Sequence, residues 1–300
     1  MIERDIFPTD RLDSADESGF TVDSQVRGAR IIAITSGKGG VGKTNVATNL
    51  ALALAEFGDQ VSILDADFGL ANVDVLFGMS PTQNIGHVVF GETTIDEIVM
   101  TGPRGIKVIP ASSGAQELAD LNSIQRRSLI RSLRDYAKHI DWMIVDTAAG
   151  ISVNVTQMIG MASEAIVVTT PEPTAIVDAY ATIKVITAER FSTPISLVVN
   201  KVINAAEAME VADQILNVTH QFLGRDIDYL GYVTNDPLVN KAVMRQEPVS
   251  LSYPESPASL CFRRIANRIR GEAEPNKTSN VLPFWRNVLG INNSISESKK

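Results

Sequence analysis

From residue 30 onward, short apolar runs rich in branched side chains alternate with longer stretches of helical spacing. The runs are IIAIT (31–35), VSILD (61–65), IKVIP (106–110), WMIVD (142–146), AIVVT (165–169), ISLVV (195–199) and YLGYV (229–233). They are apolar almost throughout, which marks strands covered on both faces. Between them, Val46, Leu50, Leu54 and Phe57 recur at helical spacing over 43–57, and further helical stretches run around 123–138, 174–189, 205–223, 236–246 and 256–270. This alternation predicts the α/β class: a doubly wound, mostly parallel sheet with helices on both faces. Ligands in such sheets bind beyond the carboxyl ends of the strands. Asp65, Asp67, Asp146 and Asn200 close or follow three of the runs, so all are expected at one edge.

The pattern also divides the chain. Residues 1–28 carry seven acidic side chains, Glu3 to Asp23, among few apolar ones and read as a flexible arm. The α/β domain covers 29–270. GEAEPNKTSN (271–280) has the composition of a linker, and VLPFWRNVLGI (281–291) opens the last segment, 281–300. If helical from Pro283, that segment sets Phe284, Trp285, Val288 and Leu289 on one face and Arg286 and Asn287 on the other. Such a stripe suits a membrane surface or a partner; packing on its own domain is the alternative. With only Arg286, Lys299 and Lys300 to meet anionic lipid, affinity per chain is expected to be weak and to depend on dimerisation.

Composition narrows the function classes. At 300 residues and 44% hydrophobic content the chain can bury a sizeable core, and its formal net charge of −8 argues against broad DNA binding. A single cysteine, Cys261, excludes an intramolecular disulfide framework and any Cys-rich zinc or iron–sulfur site built from one chain. It is expected to pack as a small apolar residue. No apolar run reaches the ~18 residues of a membrane span, and the acidic opening MIERDIFP does not suit a signal peptide. The expectation is a cytoplasmic protein. His87 and the run Arg263, Arg264, Arg268, Arg270 read as structural or solvated.

The chemistry concentrates in one loop. SGKGGVGKT (36–44) contains G-x-x-x-x-G-K-[ST] from Gly37 to Thr44. In that pattern glycines let backbone N–H groups turn toward phosphate oxygens, the lysine reaches the β/γ-phosphates and the hydroxyl sits on Mg²⁺. A buried strand before it and a helix after it supply the order an anion site needs. Gly37, Lys38, Gly39, Gly40, Val41, Gly42, Lys43, Thr44 and Asn45 are therefore expected to cradle a nucleotide. Thr44 is the first Mg²⁺ ligand to expect. Asp146 fits a carboxylate that holds Mg²⁺ through water, or a helix N-cap. Of Asp65 and Asp67, one could touch Mg²⁺-bound water and the other orient a nucleophile; capping of the loop before GLAN (69–72) is the alternative. Lys38 is a second lysine in a loop that needs one. It could cross an interface as an arginine finger does, or be a solvated surface residue.

The run KGGVGKT (38–44) resembles the deviant Walker A motif of the MinD/ParA class of SIMIBI P-loop ATPases. There the first lysine enters the partner subunit's site in an ATP-sandwich dimer. The resemblance implies that Lys38, Lys43 and Asp67 are catalytic and that ATP and Mg²⁺ are the cofactors. LDADFGLANVDVLFG (64–78) is similar to switch I, with Asp65 as companion acid, and WMIVDTAAG (142–150) to switch II, with Asp146 linked to Mg²⁺ and Gly150 at the phosphates. Asn200 and the loop VTNDP (233–237), with Asn235 and Asp236, would meet the adenine. NIGHVVFGE (84–92), IPASSG (109–114) and TTPEPTAIVDAYATIK (169–184) resemble the flagellar number and placement regulators, the FlhG/FleN (YlxH) branch. That branch implies an ATP-dependent homodimer acting as a switch. Its partners would be a flagellar assembly factor (an FlhF-like GTPase or a C-ring component) or a flagellar transcription regulator, with reversible peripheral contact at the inner membrane. Cell-division or chromosome-partitioning ATPases and a transcriptional co-regulator with little turnover are the alternatives. The chain departs from the branch at Ala148, where glycine is usual, at VTND, where I-P-x-D is usual, and in lacking the activation helix some members carry at the N-terminus.

Overall fold

The computed structural model describes residues 29–68, 71–111, 121–189 and 193–271. The acidic arm, the linker past Gly271 and the segment with Phe284, Trp285, Val288 and Leu289 lie outside the described residues. Eight strands form one sheet: β1 Arg30–Thr35, β2 Val61–Ala66, β3 Met100–Thr101, β4 Lys107–Ile109, β5 Trp142–Thr147, β6 Glu164–Thr169, β7 Ile195–Val202 and β8 Asp228–Thr234. Their order is β3-β4-β2-β5-β1-β6-β7-β8, and every pairing is parallel except β3 with β4. The longer helices are α1 Lys43–Glu56, α2 Ser123–Tyr136, α3 Val153–Met161, α4 Pro173–Ala188, α5 Ala205–Leu223, α6 Pro237–Val243 and α7 Pro257–Arg270.

The apolar runs are strands because both of their faces are covered. Successive side chains point to opposite sides of a sheet, and β1 shows the outcome. Ile31 and Ala33 join a core with Leu133, Ile183, Ile186, Val211 and Ile215. Ile32 and Ile34 join the other, with Leu50 and Leu54 of α1 and Phe262 and Ile265 of α7. Removing Leu50 or Leu54 to alanine would cost about 2–5 kcal/mol. The doubly wound arrangement is therefore the one the pattern predicts.

Three differences have physical causes. α1 is buried over nearly its whole circumference rather than on the stripe of Val46, Leu50 and Leu54, because α7 and the turn Val249–Ser252 cover its outer side. α3 escapes the pattern because Val153, Val155 and Thr156 are poor helix formers and Gly160 interrupts it. Its start is fixed by the Ser152 hydroxyl accepting from Val155 N. The arginine run of α7 is not simply a solvated face: Arg263 pairs with Glu56, Arg268 donates to Leu230 O and Arg270 pairs with Asp59. These bonds fasten α7 to its neighbours. Cys261 is buried in α7, as expected of a small apolar residue, and the His87 ring accepts from Asn84 N in a capping box.

Candidate nucleotide site

The loop 36–42 leaves the end of β1, the strand flanked by β5 and β6, and enters α1 at Gly42. Gly40 and Gly42 take φ of 80° and 94°, a left-handed backbone that glycine adopts without strain. Gly37 is required for closeness: a Cβ there would stand 2.1 Å from the Asp178 carbonyl oxygen of α4. The loop is pressed against α4 at one end and opens freely at Gly39.

What the loop does follows from where its carbonyls go. Ser36 O accepts from Gly150 N (2.8 Å), Lys38 O from the Ser36 hydroxyl (2.9 Å), Gly40 O from Lys201 Nζ (2.8 Å) and Val41 O from Asn200 Nδ2 (2.7 Å). Three of these carbonyls are satisfied from outside the loop and one by the Ser36 hydroxyl within it, an arrangement suited to offering the loop N–H groups and the α1 N-terminus to phosphates. Lys43 is buried at the first turn of α1, and its charge acts on the carboxyl of Asp146.

Lys38 goes elsewhere. Its ammonium bonds Glu172 Oε2 at 2.7 Å and the Thr174 hydroxyl at 3.0 Å, at the start of α4. The hydrogen bond and charge of Lys38 hold the Glu172 carboxyl below its ordinary range. Both partners are well exposed, so the pair is a solvated catch and contributes little to folding.

The acids divide by their partners. Asp65 and Asp146 face each other in register across β2 and β5, both almost wholly buried. Asp65 accepts three backbone N–H groups: Oδ1 from Asp67 (3.0 Å), Oδ2 from Asn72 (2.8 Å) and Val73 (3.0 Å). Burial pushes its carboxyl up to about 6 against those bonds. Asp146 is pushed up to about 7, by burial first and by the Asp65 charge next, opposed by a hydrogen bond from Thr44 and the charge of Lys43. Its Oδ1 is buried with no hydrogen-bond partner among the described residues. A buried, unpaired carboxylate oxygen beside the Thr44 hydroxyl fits a hard divalent cation such as Mg²⁺. Asp65, expected as a metal acid, is occupied as the cap of the loop leading to the short helix Val73–Leu76. Asp67 stands just past β2, half-buried.

The remaining expected residues fall at the same edge. Asn200 closes on the loop, and a Cβ at Gly42 would meet its Nδ2 at 2.4 Å. Asn235 N bonds Val202 O (2.8 Å), leaving its exposed side chain past the end of β8. Asp236 is a structural cap, one oxygen accepting from Leu238 N and the other from Ala258 N, joining the starts of α6 and α7. Asn45 begins α1, with its Oδ1 buried and unpaired among the described residues. Lys201, Glu172, Thr174 and Ser36 were not legible as site residues. The signal available for Lys201 was the polar pair Asn200–Lys201 interrupting an apolar strand.

The ParA family model, described as NUBPL iron-transfer P-loop NTPase, matches residues 27–270. The antiactivator FleN of Pseudomonas aeruginosa is 39% identical over 256 residues, covering 85% of this chain and 91% of that protein. The flagellum site-determining protein YlxH of Helicobacter pylori is 32% identical over 246 residues, 82% of this chain and 83% of that one. Among solved structures, the MinC:MinD cell division protein complex of Aquifex aeolicus aligns with a TM-score of 0.70 at 26% identity, over 83% of this chain and 99% of the matched one.

Proposed function

The chain belongs to the ParA family of P-loop NTPases, and from that premise we propose that it is an ATPase switch controlling flagellar number or placement. The observation that carries the chemistry is the loop whose carbonyls are tied outward while Asp146 Oδ1 stays unpaired beside Thr44. The flagellar output is supported by the likeness to FleN and YlxH over more than four-fifths of the chain.

In this reading ATP lies with its phosphates on residues 37–45 and its adenine by Asn200 and Asn235. Lys43 neutralises the β/γ-phosphate charge. Thr44 and Asp146 hold Mg²⁺, which supplies charge neutralisation at the transferring phosphoryl group. Asp67 orients water, whose oxygen bonds the γ-phosphorus as the bond to the β-phosphate oxygen breaks, giving ADP and phosphate. Lys38 leaves Glu172 and Thr174 to reach the nucleotide of a second copy, so ATP and dimerisation are coupled. The dimer would present paired C-terminal segments, with Phe284, Trp285, Val288 and Leu289, to the inner membrane or a flagellar partner. Iron transfer, named in the family model's description, is disfavoured because the one cysteine is buried in α7.

Solution mass and turnover with ADP·Mg²⁺ and ATP·Mg²⁺, for the wild type and Asp67→Ala, test the switch. The expected result is a dimer with ATP alone, trapped by Asp67→Ala; a monomer in every nucleotide state would remove it. Flagellar counts in cells lacking the protein test the output. Normal flagella with misplaced division septa would favour the cell-division reading, which the likeness to MinD supports.

A further inference from the structure

Lys201 takes φ 59°, a left-handed conformation, inside β7. A long side chain adopts that backbone only where the surroundings impose it, and such residues gather at functional sites. The strand pairing shows what imposes it. β7 meets β8 at Val199↔Tyr232 and again at Val202↔Thr234, so three steps along β7 answer two along β8. The extra residue is a bulge, a device that re-aims side chains. On a regular strand Asn200 and Lys201 would point to opposite faces. Here both reach the glycine loop, Asn200 Nδ2 to Val41 O and Lys201 Nζ to Gly40 O. Asn200 Oδ1 also accepts from Lys201 N at 2.9 Å, which closes the turn between them.

We propose that Lys201 is a positioning residue of the nucleotide site: its ammonium, delivered by the bulge, pins the Gly40 carbonyl outward so that the loop keeps its N–H groups toward phosphate. The need for a pin follows from the loop itself. Gly40 and Gly42 tolerate either orientation of their peptide planes, and a carbonyl turned inward would set its negative end against the triphosphate. Lys43 does not supply the pin: the side-chain donors to the Gly40 and Val41 carbonyls are Lys201 Nζ and Asn200 Nδ2. The bond is exposed, as Lys201 and Gly40 both are, so it acts on the orientation of the Gly40 peptide and adds little to the stability of the fold.

The inference rests on the nucleotide reading, and its test reports on both. Affinity for ADP·Mg²⁺ and the nucleotide-free thermal midpoint are measured for the wild type, Lys201→Gly, Lys201→Met and Lys201→Arg. Lys201→Gly relieves the left-handed strain, so its midpoint is expected to hold or rise while its affinity falls about tenfold. Lys201→Arg keeps a cation and should bind within about threefold of the wild type, with Lys201→Met as weak as Lys201→Gly. Wild-type affinity in Lys201→Gly, no rescue by arginine, or losses that merely track a lowered midpoint would overturn the positioning role. A wild type that binds no ADP·Mg²⁺ would overturn the nucleotide reading and the inference with it.

Discussion

Two glycines of the same loop, Gly37 and Gly39, should respond oppositely to the same substitution. At Gly37 an added Cβ would lie 2.1 Å from Asp178 O, 2.4 Å from Asp178 C and 2.7 Å from Asp178 Cβ. The first two are backbone atoms inside α4, which also accepts the Thr182 hydroxyl bond at Asp178 O, so the obstacle cannot swing aside as a side-chain tip would. Restoring ordinary contact requires the loop and helix to part by about 1.3 Å. Overpacking of this kind costs about 1–3 kcal/mol, which in a domain of this size lowers the thermal midpoint by roughly 2–6 °C. A displacement near 1 Å at a reacting site costs on the order of 10²-fold in rate. Gly39→Ala meets nothing within 4 Å, so its nucleotide-free midpoint should stay within about 2 °C of the wild type. Thermal scans of nucleotide-free protein with ATP turnover on the same samples decide the matter. Equal midpoints for the two variants, or normal turnover in Gly37→Ala, would refute the claim that contact with α4 positions the loop.

Lys38→Ala should leave the nucleotide-free midpoint unchanged, because its contacts with Glu172 and Thr174 are solvated, yet lower turnover by about 10³-fold and abolish the ATP-dependent dimer; sedimentation with ATP·Mg²⁺ checks this, and a wild-type dimer that turns over normally would discard the trans role. Asp65 and Asp146 hold protons in the folded state up to about 6 and about 7, whereas the unfolded chain releases them near 3.8. Between those values the native state binds more protons, so nucleotide-free stability should fall as pH rises from 4 through 7, and Asp146→Asn should flatten that slope in urea titrations across the range. Asp65→Ala leaves the N–H groups of Asp67, Asn72 and Val73 without their acceptor and should cost about 2–3 kcal/mol, with Asp65→Asn costing less. Urea denaturation at pH 5, below the folded value of about 6 where the carboxyl is largely protonated and its burial penalty is absent, measures both, and a neutral Asp65→Ala would show that the loop does not depend on these three bonds.

The fold was legible because its strands are buried on both faces and therefore advertise themselves as continuous apolar runs. The parts that were not legible lacked that imprint. Helix α3 has a start cap but an interior of Val153, Val155 and Thr156, and β3 is two residues at an antiparallel edge. The loop could be read residue by residue because its chemistry is local: glycines, lysine and hydroxyl stand in one run. Its supports could be read only in part. Asn200 and Gly150 were expected at the site, but not as donors to Val41 O and Ser36 O, and Lys201 was not expected there at all; they lie more than a hundred residues downstream, and no spacing rule relates them to Val41, Gly40 and Ser36.

The same distinction decides between the two acids that composition treats alike. Asp65 and Asp146 both end apolar strands, in register, and the sequence offers each as a metal carboxylate. A buried carboxylate must find donors or give up its charge, so counting donors separates them. Asp65 takes three N–H groups from the chain that follows it, which ties the end of β2 to the start of Val73–Leu76. Asp146 precedes a turn that sends Gly150 N to Ser36 O instead, and its Oδ1 keeps no protein donor among the described residues. The chain thus spends its own amides on one acid and withholds them from the other. A divalent cation beside Thr44 would stabilise the ionised form of the acid left unpaired, and its arrival would release the proton that burial holds on Asp146.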